Sequence, residues 1–160
     1  MNSRDLMSRL LIDLLMFYIK ISDTIKRWCD GARGWISMPR AVSYPQRIMI
    51  EYIKNKITKV PTVGVVLGSG LQELASSLEN PTRIAYSDIP SFMDTTIKGH
   101  AGEFVVGTVK GTTLPVIFAN GRFHYYEGLP YDKVHLIIDI FAQLGCERVI
   151  TTNSSGCLVP

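Results

Sequence analysis

The run Val63-Gly64-Val65-Val66-Leu67-Gly68-Ser69-Gly70 decides the fold of this 160-residue chain. A short, wholly apolar, β-branched run without polar alternation is the pattern of a strand buried on both faces. The glycines turn the chain, and from Leu71 to Leu78 the apolar spacing returns to helical, so the unit predicted is strand, glycine turn, helix. Upstream, Ile48, Ile50, Tyr52, Ile53 and Ile57 are set among Arg47, Glu51, Lys54 and Lys56. That spacing predicts a helix of about three turns after Pro45, closed by Pro61.

Downstream, residues 82–87 read as a weak strand. Glu103 to Val109 and Leu114 to Ala119 read as two strands joined by Lys110-Gly111-Thr112-Thr113 in a hairpin. Tyr131 to Leu144 is strongly amphipathic, with Val134, Ile137, Ile138 and Phe141 on one face and Gly145 as its stop. His135 belongs to this helix and is assigned no role. Arg148 to Thr152 forms a last short strand that runs into Asn153-Ser154-Ser155-Gly156. Strands alternating with helices predict an α/β fold, a mixed β-sheet flanked by helices, with the hairpin supplying the antiparallel part.

Composition narrows the function classes. Apolar residues make up 46% of the chain and charged residues 19%, which excludes disorder along its whole length. Residues 1–60 carry eleven Lys/Arg against five Asp/Glu and residues 61–160 carry six against nine, giving +6 and −3. A basic front piece therefore precedes a mildly acidic domain, and no patch has the size that nucleic-acid binding needs. Cys29, Cys146 and Cys157 cannot pair completely and form no metal-ligand cluster, which fits a reducing, cytoplasmic setting and no metal. Residues 1–44 read as an N-terminal extension, an amphipathic helix plus a linker, ahead of a domain over residues 45–160. The apolar run from Leu10 to Ile21 is interrupted by Asp13 and Lys20 and falls short of the roughly 20 residues a spanning helix needs. Membrane contact by residues 5–27 is the lesser reading of it.

Three strand ends carry Gly, Ser, Asn, Arg and His in place of ordinary turn residues, and in α/β sheets ligands bind beyond the carboxyl ends of strands. Gly68-Ser69-Gly70 offers amide N–H groups and a hydroxyl to an anion, or is a plain tight turn. It lacks the third glycine of a dinucleotide loop, since position 73 is Glu73. Arg122 and His124 flank Phe123, so in an extended segment both point the same way, as a grip on one oxyanion or as a surface pair. Glu127, three residues on, is placed to hold the His124 imidazole in one tautomer. His100 lies among small neighbours in Gly99-His100-Ala101-Gly102, with room to reach a ligand. Asn153-Ser154-Ser155 offers backbone N–H groups and hydroxyls to the same anion.

Together the stretches VGVVLGSGL, SDIPSF, GHAGE, GRFHYYEG and TNSSG resemble the N-terminal part of the trimeric-type purine nucleoside phosphorylase family in order and spacing. GRFHYYEG together with GHAGE is the most specific match, and the resemblance covers residues 45–160. It implies phosphorolysis of purine nucleosides (inosine, guanosine and their deoxy forms) to free base and (deoxy)ribose 1-phosphate. Inorganic phosphate is then the co-substrate, without metal or organic cofactor, in a cytoplasmic homotrimer that binds no nucleic acid. Carried over by motif, Ser69, His100, Arg122, His124 and the backbone at Ser154 bind phosphate. Tyr126 packs on the ribose, and His124, Glu127 and His100 are the catalytic set. The chain departs from the family at Gln72, where glycine is usual, and at Ser154-Ser155-Gly156-Cys157, where Ala-Ala-Gly-Gly is usual. The family continues beyond the counterpart of Pro160 with the residues that recognise the base, so the sequence predicts a chain cut short at its C-terminus. The alternative is a non-catalytic remnant or isoform that binds phosphate or associates with full-length subunits.

Overall fold

The computed structural model describes residues 42–68, 70–92 and 102–152. All of them belong to the second of the two units into which the chain divides, Val42–Pro160. The expected N-terminal extension lies, up to residue 41, outside the described residues.

Helix α1 (Tyr44–Lys56) starts at Tyr44, a residue the sequence reading left in the linker. Ser43 explains the early start, since its backbone N–H donates to Gln46 Oε1 at 3.0 Å and so occupies a group that the first helical turn leaves open. The helix buries Met49, Ile50 and Ile53 and ends with Lys54 and Lys56 beside its negative pole.

Five strands follow: β1 (Val63–Leu67), β2 (Leu78–Ala85), β3 (Glu103–Val109), β4 (Pro115–Asn120) and β5 (Arg148–Thr151). Their order across the sheet is β2-β3-β4-β1-β5. β1 is buried along its whole length between two parallel neighbours, β4 and β5, as its unbroken apolar run requires. The hairpin pairs β3 with β4 antiparallel, and β2 adds to β3 in the same sense, so the sheet is mixed. Because β1, β4 and β5 run the same way, their carboxyl ends share one edge. Leu67 stands opposite Asn120, and Val66 stands opposite Thr151.

One face of the sheet is covered by α1 and by α3 (Leu136–Leu144). Met49, Ile50, Ile53, Ile137, Ile140, Phe141 and Leu144 pack there on Val66, Ile84, Phe104, Ile117 and Ala119. Gly64 makes the close approach of α3 to β1 feasible, since a Cβ on it would stand 2.3 Å from Phe141 Cδ2. By the two-residue strand period Val65, Leu67, Val116 and Phe118 face the other way, and they too are buried.

Three sequence expectations change. The segment after Gly70 is no α-helix but a 3₁₀ turn over Gln72–Ser77. Leu78 already opens β2, and among these six residues only Ala75 is buried, so no apolar stripe holds a longer helix. β2 itself is longer than the weak strand read at residues 82–87 and carries a register shift between Glu79 and Thr82. The helix expected over Tyr131–Leu144 is broken at His135 into α2 (Tyr131–Val134) and α3. Ile138 and Asp139 both donate their N–H groups to the His135 carbonyl, which makes His135 the start of a new helix rather than the middle of an old one.

Candidate functional site

The shared edge of β1, β4 and β5 brings together Gly68, the segment Gly121–Glu127 and Thr152. Thr152 is the junction. Its Oγ1 accepts the Gly68 N–H at 2.7 Å and donates to the Val66 carbonyl at 3.0 Å, while its own N–H donates to the same carbonyl at 3.1 Å. Its carbonyl accepts a 2.6 Å hydrogen bond from Arg122 Nη1. Gly68 must lack a side chain here, because a Cβ would lie 2.7 Å from the Thr152 oxygen.

Beyond β4 the chain bends at Gly121, where φ is 128°, and is extended again at His124, with Phe123 as the anchor. Phe123 is 4% exposed and joins the ring cluster of Tyr86, Phe92 and Phe104. With Phe123 turned inward, Arg122 and His124 come out together, as their spacing predicts. Arg122 Nε donates to His124 Nε2 at 3.3 Å. A guanidinium only donates, so Nε2 is an acceptor, and the proton of the neutral ring sits on Nδ1. Nη1 and Nε are thus engaged within the protein, and among the described residues Nη2 takes no hydrogen bond. The fork is aimed and keeps donor capacity for an anion.

Glu127 is tied to His124 through the backbone: its Oε1 accepts the His124 N–H at 2.8 Å, and its N–H donates to the His124 carbonyl at 3.1 Å. It thereby positions the residue that the sequence reading expected it to hold by the ring. The Tyr126 ring stacks on the His124 ring at 4.7 Å and 20° between planes, and is 76% exposed. It offers an open aromatic face beside the polar pair.

Support from below comes from Tyr86, whose hydroxyl donates to the Gly121 carbonyl at 2.9 Å. Burial, and after it the negative charge of Glu103, holds the Tyr86 hydroxyl pKa well above the ordinary tyrosine value, so it stays protonated and able to donate. Glu103 Oε1 in turn accepts from Arg83 Nη1 at 2.6 Å and from Asn120 Nδ2 at 3.1 Å, bracing the end of β4 against β3.

Of the residues picked from the sequence, the structure gathers Arg122, His124, Glu127 and Tyr126 at one strand edge. Ser69, His100 and Ser154 lie outside the described residues. Thr152 and Tyr86 were missed. Nothing in the local pattern marks them, since Thr152 reads as the end of a strand and Tyr86 as part of the weak strand at residues 82–87. His135 has its Nδ1 on the Tyr131 carbonyl at 2.6 Å and its Nε2 3.2 Å from Asp139. Among the described residues no group of three or more His, Cys, Asp and Glu side chains is placed to hold a metal ion. None of the described helices is long and apolar enough to cross a membrane.

No family model matches the chain. Individual relatives do. Purine nucleoside phosphorylase 1 of Geobacillus stearothermophilus is 44% identical over 106 residues, which are 66% of this chain and 38% of that protein. Purine nucleoside phosphorylase of Bos taurus is 41% identical over 110 residues, 69% of this chain and 37% of that protein. Among solved structures, isoform 2 of purine nucleoside phosphorylase from Schistosoma mansoni, in complex with cytosine and ribose-1-phosphate, superposes with a TM-score of 0.65 at 32% identity. It covers 74% of this chain, and this chain covers 41% of it. The chain spans about two fifths of the length of the curated relatives it matches.

Proposed function

Because this chain belongs to the purine nucleoside phosphorylase family, we propose that the ends of β1, β4 and β5 form the phosphate side of a site for purine nucleoside phosphorolysis. The observation that carries the reading is the aimed Arg122 fork, fixed between His124 and Thr152 where three parallel strands end. The substrates are inosine, guanosine and their deoxy forms, with inorganic phosphate as co-substrate and no metal or organic cofactor.

In this reaction a phosphate oxygen forms a bond to the anomeric carbon as the glycosidic C–N bond breaks. The electron pair of that bond leaves with the purine, which takes up a proton, and (deoxy)ribose 1-phosphate remains. The sugar carries oxocarbenium character at the crossing point, so a phosphate dianion held beneath it both attacks and stabilises it. Arg122 supplies the charge-assisted donors that hold the dianion, and the Nδ1–H of His124 adds a directional donor. Ser69, His100 and the Ser154 backbone complete the phosphate contacts in this reading, and the open Tyr126 ring packs on the ribose. Glu127 fixes His124. Holding two reactants in line in this way removes roughly 7 to 11 kcal/mol of barrier. A cytoplasmic homotrimer is part of the same proposal.

The test is hypoxanthine release from inosine by the 160-residue chain, with and without phosphate, beside Arg122→Ala. Phosphate-dependent release that vanishes in the variant is the expected result. Phosphate binding without release would assign the chain the non-catalytic role, as a phosphate binder or an associate of longer subunits. Neither binding nor release would overturn the proposal.

A further inference from the structure

We propose that Thr152 is the positioning residue that aligns the phosphate grip, holding the Gly68 amide and the Arg122 guanidinium as one unit. The inference rests on the phosphate reading above and adds to it the part that sets the geometry. Arg122 is a long side chain with several rotatable bonds, and an unheld guanidinium would lose conformational freedom on meeting its anion. Here one of its terminal nitrogens is already on the Thr152 carbonyl at 2.6 Å, so most of that ordering is done before any ligand arrives. The carbonyl is fixed in turn, because the Thr152 hydroxyl and N–H both bond the Val66 carbonyl of β1.

The same hydroxyl receives the Gly68 N–H at 2.7 Å, which fixes the first residue after β1. Thr152 thus uses its hydroxyl as donor and acceptor at once. The ends of β1 and β4, 84 and 30 residues away in sequence, are tied to the end of β5 by one side chain and its carbonyl. The contact is tight as well as polar: a Cβ at Gly68 would stand 2.7 Å from the Thr152 backbone oxygen, so any side chain at position 68 must displace that carbonyl. Serine keeps both hydrogen bonds of the hydroxyl. Valine keeps the shape and loses them, leaving the part-buried Gly68 N–H without its acceptor.

The experiment titrates inorganic phosphate by calorimetry into the full chain, Thr152→Val, Thr152→Ser and Arg122→Ala, and follows Gly68 amide exchange by NMR in each. Thr152→Val is expected to weaken phosphate binding about tenfold, the size of one lost hydrogen bond, and to speed Gly68 exchange. Thr152→Ser is expected to stay within about twofold of the parent on both readouts. Binding lost in Arg122→Ala but unchanged in Thr152→Val would overturn the role of Thr152 and leave the phosphate reading standing. Binding that is absent from the parent, or equal in all four chains, would overturn the phosphate reading and this inference with it. If Thr152→Val does not fold, Gly68→Ala tests the link from the other side, because its methyl displaces the Thr152 carbonyl. Undiminished phosphate binding in Gly68→Ala would overturn the inference.

Discussion

The Tyr86 hydroxyl donates to the Gly121 carbonyl at 2.9 Å, across 35 residues, and so fastens the first residue after β4 to a ring buried in the aromatic cluster. Arg122 is the next residue along, and its origin is set from beneath by a group that touches no ligand. Tyr86→Phe removes the donor and leaves the Gly121 carbonyl buried without it. The expected cost is about 1 to 2 kcal/mol in a urea melt, together with weaker phosphate binding. Unchanged stability and unchanged binding would show that Phe123 alone anchors this segment.

Arg122→Lys tests geometry rather than charge. Lysine keeps the positive charge but has no Nε–H for His124 and no planar fork to rest on the Thr152 carbonyl. Phosphate affinity is expected to fall about tenfold or more, while stability changes by about 1 kcal/mol, since the lost hydrogen bonds are part-buried. A lysine variant that binds phosphate as well as the parent would mean that net charge, not the held fork, does the work.

Alkaline pH is expected to weaken the fold in a defined window. Burial pushes the Cys146 thiol up to about 12 from its ordinary 9.0, and burial with Glu103 holds Tyr86 well above its usual value. In the unfolded chain both groups release their protons earlier, the thiol from about pH 9 and the phenol from about pH 10. The folded state then binds more protons than the unfolded one, so stability is full below about pH 9 and falls as the pH rises above it. Urea midpoints at a series of pH values check this, and Cys146→Ala should flatten the first part of the fall. A midpoint that holds steady up to pH 11 in the parent would sink the assignment.

Gly64→Ala probes the seating of α3 on the sheet. A Cβ there would stand 2.3 Å from the Phe141 ring, so the ring must shift. The expected loss is about 1 to 3 kcal/mol from overpacking. Phe141→Leu in the same chain should recover part of it, which a double-mutant cycle measures directly. Strictly additive effects would show that the two positions do not meet.

What was legible in the sequence was local. The apolar run Val63–Leu67 could only be satisfied by burial on both faces, and the residues Lys110 to Thr113 between two apolar stretches led to the hairpin of β3 and β4. The alternation around Phe123 put Arg122 and His124 on one side, and the structure finds them 3.3 Å apart. Each of these rests on the backbone period or on neighbours a few residues away. Where the sequence reading erred, competing local demands were near balance: Gln72–Ser77 had helical spacing but one buried residue, and His135 interrupted a helix that its flanking apolar residues favoured.

The strand order β2-β3-β4-β1-β5, the anchoring of Gly121 by Tyr86 and the junction at Thr152 were decided by tertiary structure alone. Their hydrogen-bond partners lie 30 to 86 residues apart, and no pattern along the chain distinguishes a threonine that ends a strand from one that ties three strands together. The amino-acid sequence by itself determined the strands β1, β3, β4 and β5, the first helix, and the emergence of Arg122 and His124 on one side of Phe123. Only packing β1 between β4 and β5, with β1 and β4 burying their apolar faces, brought those ends to a common edge where hydrogen bonds form among them.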